Sequence, residues 1–194
     1  MDFYKKIDEL LFMYQHLGVE NVSNGAILIG KAPHLAPMAW LNKKFLPLTD
    51  EEIISIGNTL KHEIPVDYKL FLTNYSNGLK FGSTTFVLDG LRKNTSRTVE
   101  ASWQPFSIFT TNMYEKPTDA LDSYFFIGGY SWDGSYLYID TATGKVHYCL
   151  ANSAKSLKEW NSFKEMLLSE LARLISLHDE NGVRLIKGGK TTPN

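Results

Sequence analysis

The chain has 194 residues, 43% hydrophobic and 13% aromatic, and is therefore long enough to bury a core without a metal ion or disulfides. Its formal net charge of -1 leaves no whole-protein field that would recruit nucleic acid. A single cysteine, Cys149, excludes an internal disulfide, and no Cys/His spacing typical of zinc occurs, so we expect neither a metal nor a cofactor.

No stretch of the sequence has the apolar length of a signal peptide, and none approaches the roughly 20 apolar residues needed to span a bilayer. The unpaired cysteine suits a reducing compartment. We therefore expect a cytoplasmic protein that makes no membrane contact.

The first apolar pattern predicts an amphipathic helix that Gly18 ends. Its apolar residues share one face: Phe3, Ile7, Leu10, Leu11, Tyr14 and Leu17. Residues 19–45 are irregular, with a possible short strand at 26–29 and with Pro33 and Pro37 in an extended connection. Residues 1–44 are thus predicted to be an N-terminal helical extension.

Two short helices are predicted next. Thr49 and Glu52 form the capping-box pattern, in which each side chain bonds the other residue's backbone N–H. Ile64-Pro65 then favours a new helix start, because proline needs no N–H partner in a first turn, and Gly78 is suited to a left-handed ending. Aromatic and aliphatic residues recur at helical spacing between them: Tyr68, Phe71, Leu72 and Tyr75.

The chain after Gly78 is rich in strand signals. They lie at residues 79–81, 84–88, 102–109, 124–127, 136–140 and 145–150, and the last two are predicted to form an antiparallel hairpin through Thr141–Gly144. A final amphipathic helix is predicted from Trp160, Phe163, Leu167, Leu171, Leu174 and His178. Residues 179–194 read as a flexible tail. The whole predicts an α+β fold, a mostly antiparallel twisted sheet of about five or six strands with helices packed against it.

Several of these segments resemble the SUKH superfamily, which comprises Smi/Knr-type cell-wall regulators and bacterial toxin-immunity proteins. The resemblance begins at residues 47–78 and continues through Phe126-Ile127-Gly128-Gly129. It then includes the runs 134–140 and 144–148 and a closing helix with Trp160 and Phe163. It covers roughly residues 45–178, which we therefore expect to form a SUKH-like domain.

Chemical motifs elsewhere do not complete a site. Gly189-Lys190-Thr191 imitates the end of a phosphate loop, but Arg184 replaces its first glycine. His147 and Cys149 alternate onto one side of a strand without a third group to orient them, so packing is the better interpretation. We therefore expect no catalytic residues.

A surface argument remains, because residues 117–144 contain four aspartates and no lysine, arginine or histidine, interleaved with aromatics. Alternation in strand 136–140 predicts that Tyr136 and Tyr138 face outward, where tyrosine beside aspartate suits a protein interface. Trp132 could equally be folded back onto the sheet, and Asp133-Gly134 could serve the turn itself. The candidate partner-binding residues are Asp119, Asp122, Tyr130, Trp132, Asp133, Tyr136 and Tyr138.

The resemblance implies a non-catalytic protein-binding module, an immunity protein that binds and neutralises a cognate toxin encoded nearby. A nuclease is one target, but the near-neutral charge is equally compatible with a different toxin. Two alternatives stay open at this point. One is a regulatory scaffold of the cell-wall-regulator type, and the other is a small-ligand or enzymatic domain that uses a cleft beside Trp132.

Overall fold

In the computed structural model, which describes residues 2–96 and 98–193, several helices begin where the sequence supplies a capping side chain. The Thr49 hydroxyl accepts the Glu52 N–H at 3.3 Å and the Glu52 carboxylate accepts the Thr49 N–H at 3.0 Å, which confirms the predicted capping box. Ser162 caps the last helix by accepting the Glu165 N–H at 3.2 Å. The helices are α1 (Phe3–Leu11), α2 (Asp50–Leu60), α3 (Val66–Asn74), α4 (Val99–Ser102) and α5 (Phe163–Ile175), with a 3-10 helix at Phe12–Leu17 and a π-helical turn at Thr110–Glu115.

One antiparallel sheet carries the fold, and its strands are neighbours in chain order. The strands are β1 (Val19–Asn21), β2 (Ile27–Lys31), β3 (Trp40–Lys44), β4 (Leu79–Phe81), β5 (Phe86–Leu88), β6 (Tyr124–Tyr130), β7 (Ser135–Asp140), β8 (Val146–Leu150) and β9 (Ser153–Trp160). The α+β class is confirmed, but the sheet has nine strands instead of five or six.

The surplus strands come from both ends of the chain. β1, β2 and β3 extend the sheet within residues 1–44, where only one possible strand had been expected. β9 contains Trp160, which had been assigned to the last helix; it pairs with Val146 of β8, and the helix starts only at Phe163. The prediction of a strand at residues 102–109 is wrong, because that stretch makes a single bridge, Gly90 to Ser107, and Pro105 lacks an N–H to extend it.

The two faces of the sheet are covered differently. On one face, here called the helix face, β-strand residues such as Ile127, Leu137 and Val146 pack against α1, α2, α3 and α5 in one large core. On the opposite face, here called the second face, Phe126, Tyr138 and Cys149 form a smaller cluster. Side chains alternate between the two faces because successive residues of a strand point to opposite sides of the sheet. Part of the second face is covered by loops and not by helices.

Residues 1–44 are joined to the rest through this sheet. Lys43 and Lys44 of β3 pair with β4, and the side-chain oxygen of the buried Asn42 accepts the Gly82 N–H at 3.2 Å. Near the other end, Thr191 and Thr192 are buried, and the Arg173 guanidinium donates to the Thr191 carbonyl at 2.7 Å, so this part of the expected tail packs against α5. The division of the chain into a domain and two extensions stays a prediction. Among the residues described, no helix has the length and apolar character needed to cross a membrane.

Candidate functional site

A cleft of about 400 Å³ opens on the second face of the sheet. Its floor is formed by β5, β6 and β7, and one wall is formed by residues 106–115. The turn between β6 and β7 supplies Ser131 and Gly134 on another side. The remaining lining residues are Val87, Asp89, Arg92, Phe106, Ser107, Thr110, Thr111, Glu115, Gly128, Gly129, Tyr130, Ser135 and Tyr136. Its volume falls within the range of small-ligand and side-chain receptor pockets.

Two consecutive glycines allow the floor of the cleft to form. A Cβ added at Gly128 would lie 2.1 Å from the Val87 carbonyl oxygen, and one at Gly129 would lie 1.9 Å from the Ser135 carbonyl oxygen. The register of β6 against β7 also shifts between Phe126 and Gly128, which is a β-bulge. Only glycine permits this close approach of three backbones, and the two glycines leave their part of the floor without side chains.

Polar side chains and backbone pairs hold the wall in place. The Gly90 N–H donates to the Phe106 carbonyl at 2.9 Å, and the Ile108 N–H donates to the Gly90 carbonyl at 2.9 Å. Further along, the Asn112 amide donates to the Phe126 carbonyl at 2.8 Å and accepts the Phe126 N–H at 2.9 Å. Asn112 therefore takes the place of a neighbouring strand beside β6 and fixes the π-helical turn along the cleft.

Buried charges lie on and near the floor. Asp89 is only 5% exposed, and burial raises its pKa to about 7, with the Lys80 charge opposing this shift and the Glu115 charge adding to it. Lys80 is equally buried, and burial, with the nearby charges of Lys43 and Arg92, lowers its pKa to about 8. The Lys80 ammonium lies 4.3 Å from the centre of the Phe106 ring.

Three exposed aromatic side chains belong to the segments that enclose the cleft, and we call them the aromatic rim. They are Phe106, which lines the cleft, Tyr114 in the π-helical turn, and Trp132 in the β6–β7 turn; the last two follow lining segments without lining the cleft themselves. Their exposed fractions are 42%, 77% and 41%. Trp132 is thus half-exposed, and the Arg184 guanidinium lies 5.4 Å from its ring centre. Large aromatic residues left this accessible around one concavity are typical of protein interfaces.

The other predicted residue of this turn supports its geometry. Asp133 accepts the Ser135 N–H at 3.0 Å and the Tyr148 hydroxyl at 3.3 Å, and Gly134 adopts a φ of +69°. The prediction that Asp133-Gly134 serves the turn is confirmed. Asp133 remains exposed, so its carboxylate also contributes charge beside Trp132.

The two tyrosines that were predicted to face outward lie in different environments. Tyr136 lines the cleft, is partly exposed, and donates to Glu115 at 3.3 Å. Tyr138 does lie on the second face, but the prediction that it is exposed is wrong, because Tyr124, Phe126 and loop 117–123 cover it and its hydroxyl donates to the Ala154 carbonyl.

Tyr130 and the two remaining aspartates require separate description. The ring of Tyr130 is buried, and its hydroxyl donates to Glu170 of α5 at 2.7 Å, so it points away from any partner on the second face. Asp119 is exposed and accepts the Ser153 hydroxyl and the Ala154 N–H, both at 2.7 Å, which lowers its pKa and ties it to the β8–β9 turn. Asp122 is exposed beside His62, in a different cavity. The cleft and its turn therefore unite Tyr130, Trp132, Asp133 and Tyr136 but not Asp119, Asp122 or Tyr138.

His147 and Cys149 lie on the second face, as their alternation indicates. His147 stacks on Tyr138 and bonds the Ser156 hydroxyl at 2.9 Å, while Cys149 is fully buried. Burial raises the pKa of the Cys149 thiol to about 12, so it is a neutral, unreactive thiol near neutral pH. In the described part of the chain, no three His, Cys, Asp or Glu residues are grouped so that they could hold a metal ion.

Sequence reasoning missed the residues that give the cleft its chemistry. Asp89 directly follows a predicted strand, 84–88, and a carboxylate at the end of a buried strand was the one available signal. Phe106 and Glu115 carried none, because they reach the site only through the Gly90 and Asn112 anchors. Those contacts join segments that are remote in sequence.

Replacing Asp89 with asparagine is expected to stabilise the protein at high pH. The Asp89 pKa is higher in the folded protein than its ordinary value of 3.8, so the carboxyl group binds its proton more tightly in the folded state. The stability that this proton binding contributes is fully present below pH 3.8 and is lost as pH rises through about 7. The Asp89→Asn variant lacks this loss, so its free energy of unfolding relative to wild type should rise by roughly 2–3 kcal/mol between pH 4.5 and pH 8. Urea denaturation at both pH values measures this, with the exposed Asp122→Asn as the matched control. A pH-independent difference would contradict it.

Comparison with known proteins agrees with this architecture. The model of the SMI1 / KNR4 family (SUKH-1) matches residues 47–169, which is more than half of the chain and extends from the capping box of α2 into α5. The matched range includes the cleft, its glycine floor and the Trp132 turn. No curated protein matches the chain. The chain belongs to the SMI1/KNR4 family (SUKH-1).

Proposed function

We propose that this protein is a non-catalytic binding module that acts as an immunity protein: it binds a cognate toxin encoded nearby and blocks it in the cytoplasm. Membership of a SUKH family supports a binding module of this type. The observation that carries the proposal is the aromatic rim around the cleft, because exposed aromatic side chains at the edge of a concave site are the usual anchors of a protein interface.

The charge of the surface supports a partner whose contact region is basic. Glu115 in the wall and Asp133 in the β6–β7 turn are exposed, and Asp89 lies on the floor of the cleft. Arg92 also lines the cleft and donates to the Ala101 carbonyl, while Arg184 lies over the Trp132 ring and donates to the Gly189 carbonyl. Charges arranged this way orient a partner and speed its association more than they raise affinity.

A binding role also suits the state of the strongest nucleophile. Cys149 is a buried neutral thiol, and its neighbour His147 is occupied by Ser156 and Tyr138. Neither lines the cleft. An inhibitor needs no such chemistry, because occupation of the toxin's active site is sufficient.

Trp132→Ala tests the proposal. Co-expression with the toxin encoded by the adjacent open reading frame should restore growth, and calorimetry should show a stoichiometric complex. Removal of the indole should weaken the complex by about 2 kcal/mol, roughly 30-fold in Kd, because aromatic anchors dominate such interfaces. The fold should survive, since the side chain is half-exposed.

The matched control is Ile54→Ala, which removes a similarly exposed apolar side chain from α2, away from the cleft. It should leave the Kd unchanged. Equal effects of the two substitutions would contradict the assigned surface. If no adjacent toxin is bound or neutralised while an endogenous cell-wall assembly protein is bound through Trp132, the regulatory alternative replaces the immunity role.

A further inference from the structure

The carboxylate of Asp89 has no partner among the described residues. No hydrogen bond or ion pair within residues 2–96 and 98–193 reaches its side-chain oxygens. Asp89 is only 5% exposed, and its accessible part faces the cleft that it lines. An isolated buried carboxylate is unfavourable, and native proteins rarely retain one without a role.

The cations closest to Asp89 are directed elsewhere. Within residues 2–96 and 98–193, Lys80 makes no ion pair shorter than 4.0 Å, and it lies over the Phe106 ring instead. Arg92 donates through one guanidinium nitrogen to the Ala101 carbonyl at 3.1 Å. Three further groups face Asp89. The Glu115 carboxylate and the Tyr136 hydroxyl bond each other at 3.3 Å, and the buried Tyr68 hydroxyl donates to the backbone carbonyl of Asp89. The floor therefore presents one acceptor with unused negative charge.

The remaining lining suits a cation that is flat and carries an apolar stem. Val87, Phe106 and Tyr136 supply apolar and aromatic surface, and the glycine floor leaves room above the sheet. Several hydroxyl groups around them can accept further hydrogen bonds: Ser107, Thr110, Thr111 and Ser131. A guanidinium has five N–H donors in a planar fork, pairs with a carboxylate through two of them and packs against aromatic rings, whereas an ammonium has three donors and no plane.

We infer that the cleft is the receptor for one arginine side chain of the bound partner, with the Asp89 carboxylate accepting its guanidinium. This assignment rests on the proposed function, because it takes the arginine from the partner protein. The aromatic rim then excludes water around the buried charge pair, and the pair fixes the orientation of the partner.

Proton linkage gives the assignment a measurable signature. With a pKa of about 7, the Asp89 carboxyl is mostly neutral at pH 6 and mostly ionised at pH 8, so the fraction able to pair with a cation changes about tenfold. Lys80 loses its charge as pH rises through about 8, so its repulsion of a bound guanidinium also weakens at higher pH. Arginine binding should therefore strengthen with pH and release a proton.

The probe for the experiment is N-acetyl-arginine N-methylamide, titrated into the full chain and followed by amide chemical shifts. Shifts should localise to β5, β6 and residues 106–115, and affinity should be about tenfold higher at pH 8 than at pH 6. The Asp89→Asn variant should lose about tenfold at pH 8 together with the pH dependence. Asp122→Asn, an exposed carboxylate in another cavity, should behave as wild type.

The neutral citrulline derivative and the lysine derivative are the comparison compounds. Equal binding of citrulline, or unchanged binding by Asp89→Asn, would overturn the inference, and stronger binding of the lysine derivative would overturn the choice of guanidinium. The complex with the toxin separates this inference from the proposed function. If a toxin binds wild type and Asp89→Asn equally, the arginine site is contradicted while the immunity role stands. If the cleft binds the arginine probe but no toxin binds the protein, the arginine site is supported and the proposal that a toxin supplies the arginine is contradicted.

Discussion

Replacement of Arg173 by alanine is expected to lower the free energy of unfolding by about 3–5 kcal/mol. Glu170 of α5 is 1% exposed, and its carboxylate accepts from the Arg173 guanidinium at 2.6 and 3.0 Å and from the Tyr130 hydroxyl at 2.7 Å. Without Arg173 the carboxylate is left in the core with only the partly exposed Lys158, 3.9 Å away, to offset its charge. Arg173 also bonds the Thr191 carbonyl, so residues 191–193 should loosen as well. Urea denaturation at pH 7 measures the loss.

Two further variants separate the charge effect from lost packing. Lys158→Ala removes a cation that lies 3.9 Å from Glu170 and is partly exposed, and it should cost less than about 1 kcal/mol. The double variant Glu170→Gln with Arg173→Met keeps the volume but removes both charges, so it should recover more than half of the loss. If the double variant is as unstable as Arg173→Ala, packing and not the unpaired charge explains the effect.

Gly129→Ala is the second substitution with a large expected effect. Its Cβ would lie 1.9 Å from the Ser135 carbonyl oxygen, which belongs to a rigid strand backbone and cannot rotate away. β6 and β7 would have to separate at the cleft floor, and we expect a loss of about 3–5 kcal/mol, at the upper end of single substitutions. Thermal unfolding followed by circular dichroism measures it.

The control is Gly144→Ala in the β7–β8 turn. Nothing lies within 4 Å of a Cβ at this position, so only the strain of its φ of +74° is added, which costs about 1 kcal/mol. Similar losses for the two glycines would show that backbone conformation, and not the close approach of β6 to β7, limits Gly129.

Local signals explain which parts of the fold were predictable. The capping box of α2, the helix after Pro65 and the β7–β8 hairpin depend on residues a few positions apart, and the structure confirms each of them. β9 was not predictable in this way. Only Ala154 and Trp160 are buried in this edge strand, and its lysine, leucine and glutamate residues favour a helix until pairing with β8 decides the outcome.

The candidate site was predictable only in part, for a related reason. Alternation correctly placed Leu137 and Ile139 on the helix face and Tyr138 on the other, but it could not reveal that loop 117–123 covers Tyr138. Trp132 was chosen as a candidate because aromatic residues and aspartates are interleaved over residues 117–144. Asp89 was missed because its carboxylate is left without an ion pair only when Lys80 contacts Phe106 and Arg92 bonds the Ala101 carbonyl. No pattern along the sequence predicts these two contacts.

The order of the strands has a consequence for biosynthesis. Because each strand pairs with the one made just before it, the sheet can grow row by row as the polypeptide leaves the ribosome, without waiting for distant segments. α1, by contrast, packs against α5, the last of the described helices to be translated. The part of α1 that α5 covers must therefore stay exposed until the end of synthesis, although Tyr4 at the start of α1 already contacts Leu70 and Tyr75. A chaperone that shields nascent hydrophobic segments would have its natural substrate there, at Ile7 and Leu11, until α5 arrives.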